Sequence, residues 1–421
     1  MTESNPKKFN LSWLGIALIV IGFAEFVFVY LLQDKAALTS SIYTYYQSEY
    51  YVHLSKFEIP WINFRFEYPP LAAYVLLFPA FFSGLNVLWV SILRGFSTLI
   101  FTLLTIRYLN RCEMIPKAIG TLISLSIGFM AVLVPGFYFG LFDWSLVLCN
   151  ILMALVLFGQ AKKSGIEKAF WPLVFLGSSV KLMPLMAAPF LLQIKSLRER
   201  SNFLSALVVT VLIHVPFLFL GFQNFRLFVS YHRMRSIDCL STYACLLNAL
   251  ERLGGVTIER KWNYGALELT GGPSSFFAKA SLPAFVLILG GLTLLTRNLI
   301  KSGLGAKAAF GMYLVAFLAY PAISKVSQGN YCVWSAATLM CFWLIGYQRQ
   351  VFVRKTFVGL FLLLAIGWYQ DQRFGDFMLP MVPWSMIIVS SVRQILTLVI
   401  AGYCLKEILA EVPSKDSAVI A

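Results

Sequence analysis

Charge is what this sequence has least of. Of its 421 residues only 13% are Asp, Glu, Lys or Arg, while 59% are hydrophobic. Soluble domains carry about 25% charged residues, so a water-soluble globular fold is excluded, and no polar stretch is long enough to fold alone. Nor does any low-complexity segment or internal repeat relating two halves appear, which argues against the repeat-built transporter folds. The cysteines, Cys112, Cys149, Cys239, Cys245, Cys332, Cys341 and Cys404, form no CxxC and no Cys/His metal spacing. Only Cys239 and Cys245 share a polar loop where a disulfide could close. No small-residue cleavage site follows the first apolar run behind MTESNPKK, so that run reads as a retained span and not a signal peptide.

Acidic residues are scarcer than basic ones, 19 against 34, for a net charge of +15. On a soluble chain this excess would raise nucleic acid as a partner. On a chain this apolar it is chiefly a topology signal, the remainder being available to lipid phosphates, and nucleic acid is not an expected partner.

What the sequence does contain is a series of apolar runs, at 11–32, 87–107, 118–134, 140–160, 203–221, 282–298, 308–323, 331–347, 355–370 and 382–406. They predict an all-α polytopic membrane protein with about 10–12 transmembrane helices, residues 1–421 forming one integral membrane domain. Basic clusters fix the orientation: Lys7 and Lys8; Arg107, Arg111 and Lys117; Lys162, Lys163 and Lys168; Lys195, Arg198 and Arg200; Arg297, Lys301 and Lys307; and Arg349, Arg354 and Lys355. Placed in the cytoplasm, they put both termini inside and the segments 33–68, 135–140, 222–281, 324–330 and 371–381 outside. Segment 169–193 then lies between two cytoplasmic loops. Lys181 and Pro184 break it into pieces of about 12 residues, short of the roughly 20 a span needs, and it is predicted to enter and leave on one side. Segment 69–84, interrupted by Pro79, is likewise expected not to cross; the alternative is that both segments cross and the positive-inside rule fails in the middle of the chain. The large loop 222–281 is expected to be partly helical. Buried charge predicts an ion pair between Glu25 and Arg94, while Arg393 has no assigned role.

Groups able to do chemistry collect on the outer face. Phe57 to Pro70 reads FEIPWINFRFEYPP, an aromatic, proline-stiffened loop carrying Glu67. Irregular backbone at membrane depth is tolerated only where it meets water, headgroups or a cavity. Asp34, Glu49 and Glu58 share this loop, Asp143 opens a helix in PGFYFGLFDW, and His232, Arg233, Arg235 and Asp238 lie in the large loop, with Lys325 in ISKVSQGNY. Each has a plain structural role as well: Glu67 and Asp143 stand where acids favour helix N-termini, and Arg233 and Arg235 can snorkel at an interface.

The run IYTYYQSEYYVHLSKFEIPWINFRFEYPPLAAYVLLFPAF resembles the first external loop of the membrane-embedded C-type glycosyltransferases, most closely the bacterial polyprenyl-phosphate-mannose-dependent alpha-1,2-mannosyltransferase family. GLFDWSLVLCNILMAL, GSSVKLMPLMAAPFLL, YHRMRSIDCLSTYA and SKVSQGNYCVW are similar to later segments of that family and follow in order, so the likeness covers about residues 12 to 345. The resemblance implies an inverting hexosyltransferase in the cell inner membrane. It would move a sugar, mannose by family, from a polyprenyl phosphate to a glycolipid or glycan acceptor outside the cytoplasm, without a nucleotide-binding fold or cofactor. Such a reaction uses a carboxylate as base and cations on the leaving phosphate. Arg233, Arg235, Lys325 and His232 are the candidates for the phosphate. The family places an aspartate just before the tyrosine of the first loop helix, but Thr39-Ser40-Ser41-Ile42-Tyr43 has none. Asp34, Glu67 and Asp143 therefore all stand as candidate bases. A transporter of lipid-linked sugar, or a non-catalytic family member, is the alternative reading.

Overall fold

In the computed structural model of the chain, residues 11–32, 50–69, 71–73, 87–111, 115–134, 141–158, 166–195, 197, 203–263, 266–328 and 331–412 are described. Their helices are α1 (Leu11–Leu32), α2 (Val87–Arg111), α3 (Lys117–Leu133), α4 (Leu141–Phe158), α5 (Phe170–Val180), α6 (Phe203–Leu220), α7 (Phe222–Met234), α8 (Thr242–Arg252), α9 (Gly272–Lys301), α10 (Ala306–Ile323), α11 (Tyr331–Leu344), α12 (Gln350–Gln372) and α13 (Trp384–Leu409). Six of these, α2, α6, α9, α10, α12 and α13, contain a stretch long and apolar enough to cross a membrane. The chain is a mostly helical, polytopic membrane protein.

Burial orders the helices. α10 is enclosed along most of its length, packed by α9, α11 and α13, and Phe310, Met312, Tyr313, Leu314 and Leu318 are fully buried. α6 and α9 each carry a membrane-length apolar stretch yet bury almost none of it. An apolar helix that the protein does not cover requires lipid, so α6 and α9 form the lipid-facing rim. At the other side α1 lies along α3. A Cβ built on Gly15 would stand 2.5 Å from the Ser124 carbonyl oxygen, and one on Gly22 2.5 Å from that of Ala131. Lipid tails are as apolar as the helices, so membrane helices associate through close packing that small residues permit. The variant Gly22→Val is therefore expected to push α1 off α3, costing about 1–3 kcal/mol as overpacking does. An unchanged thermal midpoint in detergent would refute this contact.

Segment 169–193 is broken where Lys181 and Pro184 predict. Helix α5 stops at Lys181, whose backbone is extended (φ −150°, ψ 128°), and short helical turns at Met183–Ala187 and Ala188–Leu191 lead back. Eleven residues of helix reach about 16 Å, roughly half of a hydrocarbon core of about 30 Å. The two ends meet, for the Trp171 Nε1 donates to the Leu197 carbonyl at 2.9 Å. Segment 69–84 lies mostly outside the described residues.

One expectation is corrected. Glu25 sits on the exposed face of α1, while Arg94 is buried on α2 with its Nη1 donating to the Tyr51 hydroxyl at 3.1 Å, so the two form no ion pair. The loop 222–281 is partly helical, as expected. Besides α7 and α8 it holds a three-stranded antiparallel sheet of β1 (Ile237–Asp238), β2 (Glu259–Asn263) and β3 (Ala266–Thr270), ordered β1-β3-β2, with Asp238 and Lys261 opposite Glu268. Cys239 and Cys245 are both free thiols.

At the end of the bundle bearing the basic loops, interhelical ion pairs join Arg349 to Glu407 and Lys307 to Glu411. The sheet occupies the opposite end. There Arg252 donates to the carbonyls of Val382 and Met381, and Arg260 pairs with Glu251 and donates to the Pro380 carbonyl. These contacts dock the large loop on the turn between α12 and α13.

Candidate functional site

The loop that follows Val52–Leu54 is held in shape by its own backbone. Phe57 (φ 59°) and Trp61 (φ 66°) adopt the left-handed conformation that bulky residues avoid. Trp61 is locked there: its backbone N–H donates to the Phe64 carbonyl at 3.0 Å and its indole N–H to the Phe66 carbonyl at 2.9 Å. Its ring lies against Phe225 and Phe228 of α7, and its carbonyl accepts from the Asn224 side chain at 2.8 Å. Gly221, between α6 and α7, makes this approach possible, since a Cβ there would fall 2.3 Å from the Trp61 oxygen. Such strain of about 1–3 kcal/mol per residue persists only where surrounding contacts over-determine it. The result is a rigid aromatic cluster of Tyr50, Tyr51, Trp61, Phe64 and Phe66, against which Val180 at the tip of the α5 hairpin also packs.

This cluster carries Arg65 and Glu67 to the large loop. Glu67 is buried, with Oε1 3.4 Å from Arg65 Nη2. The Arg65 guanidinium lies over the ring of Tyr231 at 5.8 Å, and that of Arg235 lies 5.9 Å from the same ring, its Nη1 donating to the Tyr231 hydroxyl at 3.1 Å. Tyr231 thus joins the first loop's charges to those of the second.

Arg235 is anchored by Glu268, a fully buried carboxylate in the central strand. Glu268 accepts from Arg235 Nε, from the Ser236 backbone N–H and from the Asn263 amide, each at 3.1 Å. Burial opposes the Arg235 charge, but Tyr231, Asp238, Tyr331 and Glu268 more than offset it, and its pKa lies above the ordinary arginine value. Its Nη2 is buried and has no hydrogen-bond acceptor among the described residues, the Asp238 carboxylate standing 3.9 Å away. Lys325 donates to the backbone carbonyls of Arg235 and, at 3.5 Å, Arg233, and burial lowers its pKa. Below them, Arg393 and Gln394 of α13 both donate to the Leu240 carbonyl at 2.8 Å and to the Ser327 hydroxyl. Arg393 therefore ties the loops to the bundle. At the hairpin tip, the Lys181 ammonium stands 4.3 Å from the Trp334 ring, which stacks on Tyr331 at 3.7 Å.

Of the residues named from sequence, Glu67 is linked to Arg235 through Arg65 and the Tyr231 ring, and Lys325 sits on the Arg235 backbone carbonyl. Arg233 is not brought to them: its side chain is exposed, on the side of α7 away from Tyr231 and Arg235. His232 follows Tyr231 on α7, Asp143 lies in the first turn of α4, and Asp34 lies outside the described residues. Four participants had not been named for a site: Arg65, Tyr231, Glu268 and Arg393. The Tyr231–Arg235 spacing, one helical turn, was the available signal for one of them. Among the described residues no three His, Cys, Asp or Glu side chains gather as metal ligands.

Asp238 gives the region a measurable pH dependence. Burial raises its pKa to about 6, against Arg235, the Leu240 N–H and Arg393, which lower it, with Glu268 adding to the rise. The folded carboxyl holds its proton more tightly than the unfolded one, so its contribution is most favourable below the unfolded pKa and is lost as pH rises through about 6. Relative to Asp238→Asn, the wild type is expected to gain about 1 kcal/mol between pH 7 and pH 5. Parallel thermal midpoints across that window would contradict it.

Compared with known proteins, the chain matches no family model, no curated protein and no solved structure.

Proposed function

We propose that the chain is a glycosyltransferase of the C-type architecture, moving a sugar, mannose in the first instance, from a polyprenyl phosphate to an acceptor on the outer face of the cell inner membrane. It crosses the membrane 10–12 times with the α5 segment as a re-entrant hairpin, and both termini are cytoplasmic. The observation that carries this reading is the relay of contacts from Glu67 through Arg65 and Tyr231 to Arg235, on whose backbone carbonyl Lys325 sits. A carboxylate and several cations at the membrane surface suit transfer from a lipid phosphate.

In this reaction the acceptor hydroxyl attacks the anomeric carbon while Glu67 takes its proton. The bond from that carbon to the phosphate oxygen breaks, its electron pair leaves on the polyprenyl phosphate, and the sugar inverts. Arg235 and Lys325 hold the departing phosphate. The Arg235 Nη2 has no acceptor among the described residues, and an ammonium with three donors retains one beyond the two carbonyls it meets. Asp143 and Asp34 remain the other candidate bases. A transporter of the same lipid would instead require charges along a path between leaflets, but Arg393 is committed to the Leu240 and Ser327 oxygens.

Membranes containing the overexpressed chain, supplied with radiolabelled polyprenyl-phosphate mannose, are expected to form a labelled glycolipid or glycan. Absence of transfer from any polyprenyl-phosphate sugar would end the enzyme reading.

A further inference from the structure

Helix α7 leaves the membrane rim directly. The lipid-facing helix α6 ends at Leu220, Gly221 breaks the helix, and α7 begins at Phe222. Its inner side is fixed, since Phe225, Phe228 and Tyr231 pack on the first loop and the Asn224 amide binds the Trp61 carbonyl. Its orientation is therefore set, and what remains on its outer side is not chosen by the core.

That outer side has an ordered composition. Arg226 and Arg233 are both exposed. Seven residues apart on a helix, they lie about 10 Å apart along the axis and within about 20° of each other around it. Phe222 (59% exposed) and Val229 (49%) flank them on one edge, and Leu227 (42%) and Met234 (61%) on the other. No acidic residue occurs between Gly221 and Ile237. A cationic strip between apolar edges is the pattern of a helix lying in the headgroup region, where arginine stems snorkel and their guanidinium groups reach phosphate.

We propose that the outer face of α7 is a binding site for anionic phospholipid headgroups, with Arg226 and Arg233 as the phosphate ligands and the four apolar side chains seated among the acyl chains. Three observations select the bilayer as occupant: continuity with a lipid-facing span, apolar edges on both sides of the cations, and positive charge with no acid beside it. Arg233 thereby has a role on the face opposite Arg235. The inference is independent of the sugar-transfer reading.

The test uses the full-length protein in an uncharged detergent, titrated with pyrene-labelled phosphatidylglycerol or pyrene-labelled phosphatidylcholine and followed by tryptophan-to-pyrene energy transfer. The wild type is expected to half-saturate with phosphatidylglycerol at a lower mole fraction, and raised salt should weaken that preference. The double variant Arg226→Gln/Arg233→Gln is expected to bind phosphatidylglycerol about thirtyfold more weakly with an unchanged thermal midpoint. Arg226→Lys/Arg233→Lys should keep most of the preference. An undiminished preference for phosphatidylglycerol in the glutamine variant overturns the proposal. So does a wild-type particle mass that falls by half in that variant, which would make a second copy the occupant. Loss of transfer from polyprenyl-phosphate sugar with lipid preference intact would also overturn it, giving the arginines to the donor. Probe binding requires no transfer activity, so failure of the enzyme reading leaves this measurement interpretable.

Discussion

Glu268→Ala is expected to destabilise the protein by about 3–5 kcal/mol, the cost of leaving a buried ionic partner alone, and to abolish any activity that depends on Arg235. Glu268 is fully buried on the middle strand and accepts from the Arg235 side chain, the Ser236 N–H and the Asn263 amide. It closes the sheet on one side and sets the guanidinium on the other. Once it is removed, the nearest carboxylate to Arg235 is Asp238, at 3.9 Å and itself raised in pKa by burial. Glu268→Gln retains oxygen and shape but loses the charge, so its loss should be smaller, about 1–3 kcal/mol. Thermal unfolding in detergent orders the two variants. A Glu268→Ala midpoint within a degree of wild type would mean that the large loop does not depend on this carboxylate.

The parts of the fold that were legible in the sequence are those written in long-range composition. Apolar runs marked the helices, and a lysine and a proline between two basic loops marked the α5 hairpin. The sheet was hidden because its paired strands are five residues each. β2 reads Glu-Arg-Lys-Trp-Asn, with no apolar alternation for a strand reading to detect. β3 places Glu268 between two leucines, and nothing local says that its partner is Arg235. The candidate site was half legible for the same reason. Arg233 and Arg235 read as a pair because they are two residues apart, but such neighbours do not share a helix face. One remains on the exposed side of α7, and the other, where the helix ends, turns to Glu268. The Glu25–Arg94 expectation failed because Glu25 is exposed on α1 while Arg94 is buried, with the Tyr51 hydroxyl among its partners. Tyr51 lies in the loop whose aromatics were noticed but whose polar edges were not.

Glu67→Gln is the variant on which the proposed chemistry turns, and its expected signature is a fall in kcat of about 10²–10⁴-fold, the range for losing a positioned base. A buried carboxylate beside an arginine has a purely structural reading as well: Glu67 could serve only to hold Arg65 over Tyr231. The two readings separate in the kinetics. If Glu67 is only a support, the glutamine variant lets Arg65 move, and the loss appears in stability and in KM for the donor while kcat stays within a few-fold. If Glu67 takes the acceptor proton, the loss appears in kcat, KM for the donor barely moves, and the acidic limb of the pH–rate profile disappears with the carboxylate. Arg65→Gln supplies the converse, since it removes the partner and keeps the acid: the base reading requires substantial turnover to remain. Asp143→Asn and Asp34→Asn, measured beside them, assign the base by elimination. A Glu67→Gln enzyme that transfers sugar at the unmutated rate removes Glu67 from the chemistry and leaves its loop as the frame that orients Tyr231.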